Sequence, residues 1–180
     1  MRYLTAGTCL KRQRPLAALH QKGLQLRTVA LEQPGQFRLQ ETPEPQAPGP
    51  DDALLAIRRI GVCGTDLHAF AGRQPFFSYP RILGHELGAV VLEIGSAVHT
   101  VQPGDSVAVE PYLACDMCIA CRAGRYNCCV RLQVLGVHVD GGMRERIVVP
   151  ARLLHRSDRL SLEQLALVET LGIGAHAVDR

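Results

Sequence analysis

CDMCIACRAGRYNCC, residues 115–129, is the stretch that decides how this sequence is interpreted, because it spaces four cysteines as C-x2-C-x2-C-x7-C. Four thiolates complete the closed tetrahedron that a structural zinc ion prefers. Gaps of two residues let one tight turn present successive sulfurs, and the longer gap lets the chain return with the fourth. Asp116, Gly124 and Asn127 favour turns. The stretch predicts a structural zinc site whose ligands are Cys115, Cys118, Cys121 and Cys129.

Disulfides, or cysteines that cluster by chance, are the alternative explanation. The 180-residue chain has seven cysteines, an odd number, and no signal-peptide pattern. Both facts favour thiolates on a metal over a disulfide framework. Cys128 does not fit the spacing and is predicted not to be a ligand.

Composition limits the classes of function. Hydrophobic residues make up 47% of the chain, enough for one domain with a real core. No apolar run reaches the length of a membrane span. The net charge of +3 is too small to indicate nucleic acid. We therefore predict a cytoplasmic protein with neither nucleic acid nor membrane as a partner.

The N-terminal stretch differs in charge from the rest. Its first acidic residue is Glu32, and several Lys and Arg residues precede it. We expect residues 1–26 to be an unstructured basic extension and residues 27–180 to form the folded domain. A mitochondrial transit peptide is the alternative, although the stretch has no serine and no clear amphipathic stripe.

Short strands separated by turns dominate the remaining chain. The turn at 33–35 predicts a hairpin between strands 28–31 and 37–40. Further strands are predicted at 53–61, 87–94, 106–110 and 143–149. Short helices are predicted at 65–71, capped by Gly64 or Thr65, and at 162–168, capped by Ser161. This pattern predicts a mainly β barrel with few helices.

A second group of metal-binding residue types lies upstream of the cysteine loop. GVCGTDLH (61–68) contains Cys63, and GHE (84–86) contains His85 and Glu86. A catalytic zinc ion needs ligands of mixed type and one open position. Cys63 and His85 could supply two ligands, with Glu86 or the distant Glu169 as a third. Taken singly, a lone Cys is more often a buried apolar residue, and a lone His is more often simply structural.

These motifs together resemble the catalytic domain of the zinc-dependent medium-chain alcohol and polyol dehydrogenases. The resemblance runs from about residue 28 to residue 178 and includes the Pro103-Gly104-Asp105 turn. The stretch 72–80 is most similar to the branch that acts on sugar acids. The resemblance implies a GroES-like β-barrel with two zinc sites, one structural and one catalytic.

The resemblance also implies a role for each site residue. Cys63 and His85 match ligands of the catalytic zinc, with Glu86 or Glu169 beside them. Thr65 matches the hydroxyl that bonds the substrate alcohol, and His68 matches a proton-relay position. The remaining predicted site residue, Asp66, matches a carboxylate that orients the His85 ring. Members of the family commonly have proline after the residue matching Glu169, so Thr170 is expected to loosen that glutamate.

The family's dinucleotide-binding Rossmann domain follows the catalytic domain, and this sequence ends at Arg180 where that domain would begin. Residues 172–177 fit G-x-G-x-x-A, but they follow a helical segment rather than a strand, so we expect a helix packed under the barrel. The expectation is a truncated catalytic domain, inactive alone, whose full-length form uses NAD or NADP.

Its substrate would be a polyol or sugar acid, and the resemblance implies that full-length relatives are homo-oligomers. The alternative is a stand-alone zinc-binding β module without turnover.

Overall fold

Strands dominate the computed structural model, which describes residues 25–75 and 77–180 of the chain. The strands are β1 (Gln25–Gln33), β2 (Gln36–Pro43), β3 (Asp52–Ile60), β4 (Arg81–Ile82), β5 (Leu87–Ile94), β6 (Ser106–Val109), β7 (Tyr112–Leu113), β8 (Gln133–Val134), β9 (Arg146–Pro150) and β10 (Leu154–Arg156). The helices are α1 (Gly64–Phe70), α2 (Ile119–Arg122), α3 (Leu162–Ala166) and α4 (Val168–Val178). In this described part, no helix has the length and apolar character needed to cross a bilayer. The extension predicted at 1–26 lies almost entirely outside the described residues.

Three antiparallel sheets organise these strands. The largest has the order β10-β6-β5-β3-β9, a second has the order β2-β1-β4, and β7 pairs with β8. The first two sheets are joined where β1 bonds to the residues before β9. There, the N–H of Val29 donates to the carbonyl of Met143, and the N–H of Glu145 donates to the carbonyl of Arg27. The prediction of a mainly β fold with few helices is confirmed.

The main core lies on the five-stranded sheet. Leu55, Val91, Val107 and Ile147 come from four neighbouring strands, and each is at most 2% exposed. Burying one such side chain contributes about 1.5–3 kcal/mol before entropy is counted. This sheet is therefore the rigid base from which the segments described below project.

Helix α3 lies directly on β5 because Gly88 leaves room for it. A Cβ atom at Gly88 would lie 2.1 Å from the carbonyl oxygen of Leu162. The predicted cap is confirmed: Gln164 donates its N–H to Ser161 Oγ, and Ser161 donates its N–H to Gln164 Oε1. This close contact determines where α4, which begins two residues after α3 ends, leaves the sheet.

Several predicted boundaries are shifted. The hairpin around 33–35 is confirmed and is longer than predicted. The first helix starts at Gly64, with Cys63 as its N-cap. The strand predicted at 143–149 is divided, because residues 143–145 bond to β1 and only Arg146–Pro150 forms β9 beside β3.

The glycine motif at 172–177 lies inside α4, so the predicted helix is confirmed and the segment is not a phosphate loop. The expected packing of this helix against the domain is seen only at its first turn: Val168 and Glu169 are half-buried, and no residue of the helix is fully buried. A Cβ at Gly172 or Gly174 would meet nothing within 4 Å. No close contact in the described structure therefore requires glycine at these two positions.

Candidate metal sites

Four thiols converge in the loop between β7 and β8. Sγ of Cys121 lies 3.5 Å from Sγ of Cys118 and 3.9 Å from Sγ of Cys115. A tetrahedron with Zn–S arms of about 2.3 Å has edges of about 3.8 Å. A disulfide would need sulfurs about 2.05 Å apart. Together with Cys129, whose sulfur completes a group within 4.8 Å, these residues are here called the four-thiol loop.

Backbone geometry aims the sulfurs inward. Asp116 has φ of 58°, a left-handed conformation that turns the chain sharply after the first cysteine. Helix α2 begins after Cys118 and carries the buried Cys121. The short 3-10 helix Tyr126–Cys128 then returns the chain to Cys129.

Backbone N–H groups in the loop favour thiolates. Those of Met117 and Cys118 hold the pKa of the Cys115 thiol down, to about 6. The N–H of Cys121 likewise lowers the pKa of Cys118. Burial, with its neighbouring sulfurs, raises the pKa of Cys121 to about 12. Several thiols this close together cannot all lose their protons without repelling one another. A cation bound among them would neutralise that negative charge.

Cys128 lies outside this group, as the sequence predicted. It is exposed, and it is absent from the set of sulfurs that lie within 4.8 Å of one another. Its neighbour Cys129 is buried and accepts N–H groups from Cys115 and Arg131.

A second group of donors forms where α1 faces the start of β5. Cys63 is the N-cap of α1, while His85 and Glu86 immediately precede β5. One ligand atom from each lies within 4.8 Å of the other two. His85 and Glu86 are 6% and 7% exposed, respectively. This trio is here called the cleft site.

Asp66 supports this site from inside α1. Its Oδ2 accepts the N–H of Cys63 at 2.9 Å, which fixes the turn that presents the thiol. Its Oδ1 lies 4.0 Å from Nδ1 of His85, and both atoms are buried without a hydrogen-bond partner. Burial raises the pKa of the Asp66 carboxyl group, and the nearby His85 opposes this. Oδ1 of Asp66 and Nδ1 of His85 face each other. A carboxylate and an imidazole have the same arrangement where the imidazole binds a metal through its other nitrogen.

The two oxygens of the Glu86 carboxylate have different surroundings, a hydrogen bond on one side and a glycine on the other. Thr170, in the first turn of α4, donates its hydroxyl to Oε1 at 3.0 Å. On the other side, a Cβ at Gly61 would lie 2.0 Å from Oε2. The carboxylate therefore occupies a slot that exists because residue 61 has no side chain.

Glu169, the alternative third ligand, lies outside the three-residue group. Its Oε1 accepts the hydroxyl of Tyr112 at 3.1 Å. Burial, followed by the Glu169 carboxylate, raises the pKa of Tyr112 to about 12. The phenol thus remains a donor to Glu169 at neutral pH. The geometry favours Glu86 as the third donor.

The two other predicted residues lie on α1. Oγ1 of Thr65 is 3.7 Å from Sγ of Cys63, so the hydroxyl borders the cleft site. His68 follows three positions later, on the same side of the helix, and is exposed. Thr65 is thus beside the metal-binding groups, whereas His68 connects that face of α1 to solvent.

A cleft of about 760 Å³ lies beside the site rather than around it. Tyr112 and Glu169 are among its lining residues, together with Glu110 and His176. The three candidate ligands do not line it. Tyr112 lines this cavity and also bonds Glu169.

Both donor sets fit zinc. The four-thiol loop offers the closed sulfur set of a structural ion. The cleft site offers one sulfur, one nitrogen and one oxygen donor, one fewer than a four-coordinate zinc ion binds. Oδ1 of Asp66 and Nδ1 of His85 are buried without a hydrogen-bond partner, which also favours a cation at the cleft site.

Known proteins are similar to this chain in sequence. A family model, the alcohol dehydrogenase GroES-like domain, matches residues 49–159. L-galactonate-5-dehydrogenase of Escherichia coli (strain K12) is 47% identical over 133 residues, which cover 74% of this chain and 39% of that protein. An uncharacterized zinc-type alcohol dehydrogenase-like protein of Haemophilus influenzae is 43% identical over 157 residues, covering 86% and 46%. The chain therefore belongs to the zinc-dependent alcohol dehydrogenase family, of which it contains the GroES-like domain.

Solved structures agree. A protein of Sinorhizobium meliloti 1021, described as a zinc-binding dehydrogenase and bound to NADP, superposes with a TM-score of 0.78 at 36% identity. The alignment covers 87% of this chain and 45% of that one. The chain thus spans less than half the length of the relatives it matches. The predicted resemblance to the zinc-dependent medium-chain alcohol and polyol dehydrogenases is confirmed.

Two contacts near the site have no signal in the sequence. The bond between Tyr112 and Glu169 depends on where α4 places Glu169. The bond from the hydroxyl of Thr170 to Glu86 likewise depends on the position of α4.

Proposed function

We propose that this chain is the catalytic domain of a zinc-dependent dehydrogenase that oxidises a secondary alcohol of a polyol or sugar acid with NAD or NADP. The convergence of Cys63, His85 and Glu86 next to Thr65 carries the proposal. The NADP-bound relative supports a nicotinamide cofactor for the complete enzyme. Similarity to L-galactonate-5-dehydrogenase supports a sugar acid as the substrate.

The three side chains of the cleft site would hold zinc, which when bound acts as a Lewis acid that lowers the pKa of a substrate alcohol. Asp66 orients His85 and fixes the turn that carries Cys63. The hydroxyl of Thr65, 3.7 Å from Sγ of Cys63, would accept a hydrogen bond from the alcohol and receive its proton. His68, on the same face of α1, would pass that proton to solvent. Loss of the proton would favour departure of a hydride from the carbinol carbon, and a nicotinamide bound by the complete enzyme would supply the acceptor.

The four-thiol loop has a separate role in this proposal. Its four donors leave no open position, so a zinc ion there would be structural. It would fix the loop between β7 and β8, and β7 contains Tyr112. We propose residues 27–180 as the domain that carries both sites.

Metal titration tests the cleft site. With the four-thiol loop already filled by zinc, the 180-residue chain should bind one cobalt ion, and His85→Ala should abolish that binding. His99→Ala, which changes an exposed histidine outside both sites, should bind cobalt normally. If wild-type protein binds no further cobalt, the proposed catalytic site is wrong.

A chimera tests the chemistry. Residues 25–180 would replace the corresponding part of the E. coli L-galactonate enzyme, so that its remaining part supplies cofactor binding. We expect NAD(P)H formation with L-galactonate or a related polyol, and loss of that activity in Cys63→Ser. A folded, metal-loaded chimera that oxidises none of L-galactonate, L-idonate or sorbitol would contradict the proposed substrate class.

A further inference from the structure

We infer that Thr170 is a positioning residue that fixes the Glu86 carboxylate as the third arm of the cleft site. The inference rests on the proposed metal site and deepens it, because it makes metal affinity depend on a hydroxyl at position 170. The observation behind it is the 3.0 Å hydrogen bond from Thr170 Oγ1 to Glu86 Oε1.

The bond matters because Glu86 has few other restraints. Its side chain is buried, and the only side chain shown donating to its carboxylate among the described residues is Thr170. On the opposite side, Gly61 provides space rather than a hydrogen bond from its side chain. Without the hydroxyl, the carboxylate can rotate in its slot or draw in water. Either change moves a ligand away from Cys63 and His85.

Helix α4 supplies both of the relevant contacts from adjacent residues. Glu169 accepts the hydroxyl of Tyr112, while Thr170 donates its hydroxyl to Glu86. None of the residues of α4 is buried, so these two bonds are prominent attachments of its first turn. Only the bond from Thr170 reaches a residue of the cleft site. The bond from Tyr112 therefore provides a natural control, because Tyr112 can be altered without touching Glu86.

The test uses cobalt as the probe in the 180-residue chain, after the four-thiol loop has been filled with zinc. Cobalt affinity is measured by chelator competition, and the visible absorption band reports the ligand geometry. The variants are Thr170→Val, which keeps the shape but removes the hydroxyl, Thr170→Ser, which keeps the hydroxyl, and Tyr112→Phe, which removes the other attachment of α4. Thr170→Ala serves if the valine variant fails to fold.

We expect Thr170→Val to weaken cobalt binding about tenfold, as losing a hydrogen bond to a metal ligand commonly does, and to shift the absorption band. Thr170→Ser and Tyr112→Phe should stay near wild type in both respects. Unchanged affinity and spectrum in the variants without the hydroxyl would overturn the inference. Equal losses in Thr170→Val and Tyr112→Phe would also overturn it, because attachment of α4 would then be the cause.

The outcome for the wild-type chain separates this inference from the proposed function. No cobalt binding at all would refute the cleft site, and with it the role of Thr170. Cobalt binding that disappears in His85→Ala but is insensitive to the hydroxyl at 170 would leave the proposed function standing and refute only the role of Thr170.

Discussion

The four-thiol loop and the cleft site differ in how far apart their donors lie in the sequence. The loop takes all four thiols from residues 115–129, so local turns suffice to bring them together. The cleft site combines residue 63 with residues 85 and 86, and its carboxylate is held by residue 170. The four-thiol loop is formed by one short segment of the chain. The cleft site forms only when distant segments pack together in the folded domain.

The two sites also differ in chemistry. Four sulfurs saturate a tetrahedral ion, whereas three donors of different type leave a position for substrate. We therefore expect changes in the loop to act on stability. Changes around the cleft site should act on metal affinity and, in a complete enzyme, on turnover.

The largest effect should follow loss of one loop thiol. Cys121→Ser removes a buried sulfur with two close sulfur neighbours. Structural zinc in small domains contributes about 10–16 kcal/mol of binding free energy to folding, so a large part of that stabilisation should disappear. Metal analysis and thermal unfolding measure it.

Cys128→Ser is the matched control, because Cys128 is exposed and lies outside the group of sulfurs. It should retain zinc and melt near wild type. Equal zinc contents in the Cys121 and Cys128 variants would show that the loop thiols are not the ligands.

Next in size is Gly61→Ala, which places a methyl group 2.0 Å from Oε2 of Glu86, closer than the two atoms can approach. Displacing that buried carboxylate should cost about 1–3 kcal/mol of stability, as overpacking typically does, and should weaken cobalt binding at the cleft site. Gly64→Ala, whose Cβ would meet nothing within 4 Å, should do neither. Denaturant unfolding and cobalt titration compare the two. A Gly61→Ala protein that matches Gly64→Ala would show that the slot for Glu86 is not needed.

Asp66→Asn should have a smaller effect, confined to the cleft site. The amide keeps an oxygen for the N–H of Cys63 but lacks the charge that faces His85. Affinity for cobalt should fall about tenfold, because loss of a residue that supports a metal ligand typically weakens binding by about 10–100-fold. The zinc in the four-thiol loop should stay bound. Asp158→Asn, at an exposed position, is the control. If both variants bind cobalt like wild type, Asp66 does not support the site.

The smallest effect is expected at Glu145, whose side chain contacts neither metal site. The N–H and guanidinium of Arg27 lower the pKa of Glu145 in the folded state. Its stabilising effect is therefore present above the ordinary carboxyl pKa of about 4.3 and is lost as the pH falls through the lower folded value. Because both partners are largely exposed, Glu145→Gln should cost less than about 1 kcal/mol at pH 7.

Unfolding of wild type and Glu145→Gln from pH 7 down to pH 4 measures that difference. The difference in free energy of unfolding between the two proteins should become smaller as the pH falls. A difference that stays constant or grows on acidification would contradict the predicted direction of the pH dependence.

The sequence alone was sufficient for the loop because its information is local. Cysteine spacing and turn residues predicted the four thiols that the structure brings together, and Cys128 was rightly left out of the set. Ser161 could likewise be predicted as a cap, because a capping box needs only four consecutive residues.

The cleft site could be predicted only in part. Motifs suggested Cys63 and His85, but the choice between Glu86 and Glu169 depends on where α4 leaves the sheet. That position follows from the close contact between Gly88 and Leu162, which no local pattern encodes. The division of the strand predicted at 143–149 has a similar origin, because the pairing of 143–145 with β1 is a long-range contact.

Zinc stoichiometry tests the contrast between the two sites most directly. Native mass spectrometry of the 180-residue chain at saturating zinc counts the ions bound to each molecule. We predict two ions in the wild-type protein and one in His85→Ala, the remaining ion being held by the four-thiol loop. A wild-type chain that never binds more than one zinc ion would contradict the presence of a second, open metal site at Cys63, His85 and Glu86.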